Sequence, residues 1–308
     1  MRIIFMGTPD FSVPTLETLI KSEHEIIGVV TQPDKPKGRS KAVKLTPIKE
    51  KALEYNIPVY QPIKVRGEGF LATLKELNPD VIIVIAFGQI LPKALLEIPQ
   101  YGCINIHASL LPKLRGAAPI QWAVINGEVK TGVTTMQMDA GVDTGDMLLK
   151  KEIILEKKET GGSLHDKLSQ MGGALILETL QLAKEGKLSP KKQEDSLSNY
   201  AKMLDKNLGK IDFSKSADEI ERLIRGLNPW PSAYTMLDGK TLKIWDADVV
   251  EGKLGALIGE ITEVRKDCFV VQTGNGALTI KELQLEGKKR MTIDAFLRGY
   301  TITVGTVL

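Results

Sequence analysis

Apolar runs and their spacing divide the chain into two stretches with different periods. Residues 2–5 and 26–31 are short continuous apolar runs of the kind that form strands buried on both faces, and residues 11–21 between them carry a helical pattern. A strand, a helix and a second parallel strand predict the start of a doubly wound sheet. Residues 47–55 and 69–78 predict two more helices, 81–86 is the most hydrophobic strand, and 101–106 and 132–138 predict further strands. Leu164, Leu168, Met171, Leu175 and Leu182 recur at helical spacing, so 163–182 is expected to pack on the sheet and close the first domain.

Residues 184–208 then turn polar, with Pro190 and several Ser and Lys, which is the composition of a linker. Ser216 followed by Glu219 predicts the capped start of a helix that ends at Gly226. After it, alternating runs at 232–237, 241–249, 258–264, 268–273 and 278–285 are separated by Asp-Gly, Glu-Gly and Gly-Asn-Gly turns, a pattern for five antiparallel strands. The expected fold class is α/β: an N-terminal doubly wound, mostly parallel, Rossmann-like sheet in residues 1–188, a linker at 189–208, and a smaller OB-like β-barrel domain in 209–308.

Composition narrows this picture in three ways. The two cysteines, Cys103 and Cys268, cannot form a disulfide framework, which fits a reducing compartment. No stretch approaches the roughly 18 apolar residues of a membrane span, and the first strand is not preceded by a basic segment, so a soluble, cytoplasmic protein is expected, working as a monomer. The net charge is only +3, yet residues 34–49 hold six cations (Lys35, Lys37, Arg39, Lys41, Lys44, Lys49) against the single acid Asp34. That concentration predicts contact with a polyanion, and Lys288, Lys289 and Arg290 form a second basic run. The turn after the first strand reads Gly-Thr-Pro-Asp-Phe; it lacks the Gly-x-Gly-x-x-Gly of a dinucleotide site, which disfavours a nicotinamide enzyme.

Candidate chemistry gathers between residues 103 and 147. Asn105 and His107 lie two apart on a strand and share a face, and Pro112, Gly116 and Pro119 end regular structure just beyond, near the carboxyl end where open α/β sheets place ligands. A supporting carboxylate must come from elsewhere: Asp143, bracketed by Gly141 and Gly145, leads over Asp139 and Asp146. Amide, imidazole and carboxylate together suit a carbonyl under attack by an amine, with no covalent intermediate required. Cys103 shares the strand face, but a buried thiol is the expected reading. The aspartates lack metal-loop spacing, so no metal is expected. The loop Phe87-Gly88-Gln89-Ile90-Leu91 follows a strand end and could receive a flat ring.

Asn-Ile-His-Ala-Ser-Leu-Leu-Pro, Arg-Gly-Ala-Ala-Pro-Ile and Met-Asp-Ala-Gly-Val-Asp-Thr-Gly-Asp, with Met-Gly-Thr-Pro-Asp-Phe at the start and Asn-Pro-Trp-Pro-Ser-Ala later, resemble the folate-dependent formyltransferases over essentially the whole chain. The resemblance implies that Asn105, His107 and Asp143 are catalytic, and that Phe87, Gly88, Gln89, Ile90, Leu91, Ser109, Leu110, Leu111, Pro112 and Asp139 bind the formyl donor 10-formyltetrahydrofolate. It also implies an acceptor amine, which the basic loop and added β-domain suggest is that of initiator methionyl-tRNA, bound through Lys35, Lys37, Arg39, Lys41, Lys44, Lys288, Lys289 and Arg290. Relatives acting on a purine precursor or an amino sugar share the trio, and a non-catalytic RNA-binding protein is the reading from another class.

Overall fold

A computed structural model describes residues 1–36 and 43–308. From the N-terminus come β1 (Arg2–Gly7), α1 (Val13–Ile20), β2 (Glu25–Val30), β3 (Lys35–Pro36), β4 (Val43–Lys44), α2 (Pro47–Glu54), β5 (Val59–Tyr60), α3 (Glu68–Leu77), β6 (Val81–Ile85) and α4 (Lys93–Leu96). The chain continues through β7 (Cys103–His107), β8 (Arg115–Gly116), α5 (Pro119–Ile125), β9 (Lys130–Gln137), β10 (Met147–Ile154), α6 (Gly161–Lys184) and β11 (Tyr200–Ala201). It ends in α7 (Ala217–Gly226), β12 (Ala233–Leu237), β13 (Lys240–Val250), β14 (Ile261–Val264), β15 (Phe269–Gln272), β16 (Ala277–Leu285), β17 (Met291–Thr292) and α8 (Ile293–Leu297).

Two compact units result. The first comprises Met1–Gly116, Lys130–Ile154 and His165–Ala201, and the second Ala117–Val129, Leu155–Leu164 and Lys202–Leu308. Residues 189–201, which composition marks as linker, pack with the first unit; most of their polar side chains face solvent, while those of Gln193 and Asn199 bond to it.

The first unit is built on a seven-stranded sheet of order β10-β9-β7-β6-β1-β2-β5. From β7 to β5 every pairing is parallel, while β9 and β10 add an antiparallel edge. Ile3, Ile4, Phe5 and Met6 of β1 and Val81 to Ile83 of β6 are wholly buried, as central strands covered on both faces must be. On one face α6 lies close because Gly172 and Gly173 bear no side chain: a Cβ on Gly173 would come within 2.5 Å of the Thr18 hydroxyl oxygen on α1. β2 and β6 flank β1 on opposite sides, so the chain changes winding direction there and opens a crevice at the strands' carboxyl ends. The Thr8 hydroxyl donates to the Phe87 carbonyl across that crevice, at 3.0 Å.

The second unit carries an antiparallel sheet of order β12-β13-β16-β15-β14, with β17 beside β16. All five strands that the alternating runs predict are present. Ser216 caps α7 in both directions, its hydroxyl receiving the Glu219 N–H and its own N–H donating to the Glu219 carboxylate. Ile220 and Ile224, four apart on α7, reach the sheet's apolar face beside Phe269 and Leu278. Among the described residues no helix is long and apolar enough to cross a membrane.

Candidate functional site

β7 runs from the hydrophobic core to the crevice, and its alternation delivers three side chains to one face in order of increasing polarity. Cys103 is fully buried among Ile82, Val84 and Leu95, and that burial pushes its thiol up to about 12, so it is neither ionised nor reachable as a nucleophile. Asn105 and His107 follow, 9% and 6% exposed.

The His107 ring is held from both sides. Its Nε2 lies 2.9 Å from the Leu114 carbonyl oxygen, and because a carbonyl can only accept, Nε2 carries the hydrogen. Nδ1 is therefore the nitrogen that exchanges a proton, and it faces the Asp143 Oδ2 at 3.6 Å, an ion-pair distance longer than a direct hydrogen bond. The same carboxylate receives the Gly116 N–H at 2.8 Å on Oδ2 and the Asn105 side-chain amide at 3.4 Å on Oδ1. Amide, imidazole and carboxylate thus meet, although Asp143 lies 38 residues beyond Asn105.

Of the three aspartates that compete in the sequence, the geometry brings only Asp143 to the imidazole. Asp139 instead organises its own loop, accepting from the Gly141 N–H at 3.0 Å and the Thr144 hydroxyl at 2.8 Å. Asp146 belongs to the strand ladder through its carbonyl, which accepts from the Gln137 N–H. Gly145 is required by space: a Cβ there would stand 1.7 Å from the Gln137 carbonyl oxygen. Asp143 itself is left-handed, with φ of +54°, a conformation that costs a non-glycine residue about 1–2 kcal/mol and must be imposed by surrounding bonds.

Beside the trio is a cleft of about 130 Å3 lined by Gln89, Ile90, Leu91, Met136, Met138, Asp139, Gly141, Val142 and Asp143. Two thioethers and three aliphatic side chains give it an adaptable apolar wall, with Asp139 as a polar edge, which suits a flat heteroaromatic ring. Ile90 is 78% exposed at its rim. Gln89 pins the loop by accepting from the Val65 N–H, and Phe87 is buried beneath it while Gly88 is exposed. Ser109 to Pro112, expected at the donor surface, do not line the cleft. Ser109 and Leu111 are fully buried in a turn strutted by Thr134, whose hydroxyl donates to the Ser109 carbonyl and accepts from the Leu111 N–H; Leu110 and Pro112 are half-buried.

The sequence reading missed two residues in the segment taken for a linker. Gln193 donates to the carbonyls of Asp143 and Gly145, both at 2.8 Å, and Asn199 receives the Leu114 N–H at 2.5 Å. Both hold backbone on which a trio member depends, and no local pattern marks them. Lys35 and Lys44 are exposed and lie opposite each other in the β3–β4 pair. Lys37, Arg39 and Lys41 lie outside the described residues. In the second unit Lys288 and Lys289 are exposed, whereas Arg290 pairs with Glu282 and stacks over Trp245 at 5.0 Å. Among the described residues no group of three or more His, Cys, Asp or Glu side chains is placed to hold a metal.

Comparison with known proteins adds lineage to this geometry. The family described as formyl transferase matches residues 1–180, and the formyl transferase C-terminal domain matches 203–301. Proteins named methionyl-tRNA formyltransferase are similar end to end: one from Clostridioides difficile is 54% identical over 308 residues, covering 100% of both chains. Another, from Lachnospira eligens, is 53% identical over 313 residues, covering 100% of this chain and 99% of its own. Among solved structures, an N-formyltransferase from Helicobacter canadensis superposes with a TM-score of 0.69 at 20% identity, over 91% of this chain and 98% of that one. A sugar 3N-formyl transferase gives 0.68 at 21% identity, over 94% and 99%. These two likenesses speak for the fold, and the family matches with the full-length identities settle the lineage: the chain belongs to the formyl transferase family.

Proposed function

We propose that the protein transfers the formyl group of 10-formyltetrahydrofolate to the α-amino group of methionine on initiator tRNA. The observation that carries this reading is the convergence of Asn105, His107 and Asp143 at the cleft's edge, in a chain more than half identical over its full length to proteins named for that reaction. The folate is a substrate here, and it brings the formyl carbon on a nitrogen that can leave. The amine nitrogen attacks that carbon, the carbonyl π electrons move to oxygen, and the Asn105 amide hydrogen not given to Asp143 stands ready for the oxyanion. His107 Nδ1 and Asp143 take the proton that the amine loses, and it returns to the departing folate nitrogen as the carbon–nitrogen bond breaks. The apolar wall of the cleft receives the pterin ring, with Asp139 at its hydrogen-bonding edge.

For the acceptor, the exposed Lys35 and Lys44 across β3–β4 matter most: like charges directly opposite are unfavourable in a bare hairpin, and phosphates relieve them. Lys49 does not share that role, since it pairs with Asp34 and Gln61. Lys288 and Lys289 supply a second set of phosphate contacts, with Arg290 beside them held by Glu282. The protein is taken to act as a cytoplasmic monomer. Incubation with formylated folate and charged initiator tRNA should yield acid-stable formyl-methionine. A chain inert toward charged tRNA but active on a free amino sugar or purine precursor would overturn the assignment.

A further inference from the structure

The trio is not held by its own strands alone. Asp143 sits in a left-handed conformation in a loop whose residues 140–142 are exposed, and the Asp139 carboxylate bonds to only two positions in it, Gly141 and Thr144. The portion that carries the catalytic carboxylate is tied from outside, by a segment that starts where Lys191 exchanges both backbone hydrogen bonds with Met147 and ends where β11 pairs in parallel with β8. Between these pins the Gln193 side chain uses both ends. Its amide nitrogen donates to the Asp143 and Gly145 carbonyls at 2.8 Å each, and its oxygen accepts from the Arg115 Nε at 2.9 Å. Arg115 precedes Gly116, whose N–H donates to the Asp143 carboxylate. A closed ring of bonds results, from Gln193 to the Asp143 backbone, through its carboxylate to Gly116, and through Arg115 back to Gln193. Arg115 is itself 8% exposed and paired with Asp195 at 2.9 Å, at the ring's far corner.

Resting on the proposed roles of Asn105, His107 and Asp143, we infer that Gln193 is a positioning residue for formyl transfer, one that sets the Asp143 carboxylate against His107 without touching either substrate. Each of its partners is a backbone carbonyl or a guanidinium, so only a carboxamide satisfies all three, with donors at one end and an acceptor at the other. Glutamate would keep the acceptor for Arg115 and leave both carbonyls facing a carboxylate oxygen. Leucine would keep much of the volume and lose all three bonds.

The test is a double-mutant cycle read in full-length protein, with unfolding midpoints measured alongside. Gln193→Leu should lower turnover about tenfold while the Michaelis constants for formylated folate and charged tRNA stay within about twofold, as misplacement of one reacting group predicts. Gln193→Glu should fall at least as far, although Arg115 keeps its partner, and it carries the comparison if the leucine variant does not fold. In an Asp143→Asn background the Gln193 substitution should cost less than about twofold, because there is no longer a carboxylate to place. Turnover of both Gln193 variants near wild type, or an equal factor in the two backgrounds, would overturn the inference. Wild-type turnover of Asp143→Asn alone would instead bring down the reading of the trio, and the role of Gln193 with it.

Discussion

At the scale of single residues, the site is a strand alternation carried to its end. β7 places Cys103, Asn105 and His107 on one face, and the sheet buries the first and brings the others to the crevice, so one strand supplies both a core residue and two polar groups of the candidate site. His107→Ala is expected to lower turnover by at least about a hundredfold, with folate binding kept, because the imidazole handles the proton but does not line the cleft. Equilibrium binding and single-turnover rates on the same preparation separate the two effects. Asp143→Asn should also slow transfer and displace the pH profile of turnover, whereas Asp139→Asn should act mainly on the folate Michaelis constant and Asp146→Asn on neither. A larger turnover loss at Asp146 than at Asp143 would reverse that assignment. Burial makes a third outcome definite: with its thiol raised to about 12, Cys103 should resist maleimide at pH 8 in native protein and react fully once unfolded, as mass spectrometry of the labelled peptide would read.

At the scale of elements, what could be read in the sequence and what could not divide by the range of the interactions involved. β1, β6 and β7 announce themselves because apolar runs are local, and α7 because its cap is a four-residue pattern. The strands of the second unit are legible through their turns for the same reason. β10 escaped because Lys150, Lys151 and Glu152 interrupt it at a solvent-facing sheet edge, and α5 because it spans only about two turns from Pro119. Asn105, His107 and the choice of Asp143 were legible through motif. Gln193 and Asn199 were not, since the bonds that define them join positions 48 to 85 residues apart and a polar run reads the same whether it faces water or carbonyls.

At the scale of the whole molecule, charge is concentrated where the net value hides it. A chain of +3 carries six cations in residues 34–49, so binding to a polyanion should depend on that stretch and weaken as salt replaces released counterions. Neutralising Lys35, Lys37, Arg39 and Lys41 together should raise the Michaelis constant for tRNA, flatten its salt dependence, and leave that for formylated folate unchanged. Identical constants for variant and wild type across a salt series would make the loop a bystander. The strap that ends in β11 has a different reach, into the time before the protein is whole. All three trio side chains have been synthesised by residue 143, yet the amide that fixes the last of them lies 50 residues further on. At roughly 5–20 residues per second the ribosome needs roughly 3–10 s to supply it. A nascent chain in that interval holds Asn105, His107 and Asp143 without that amide, and on the positioning role proposed for Gln193 it should work about tenfold more slowly than one whose strap has emerged.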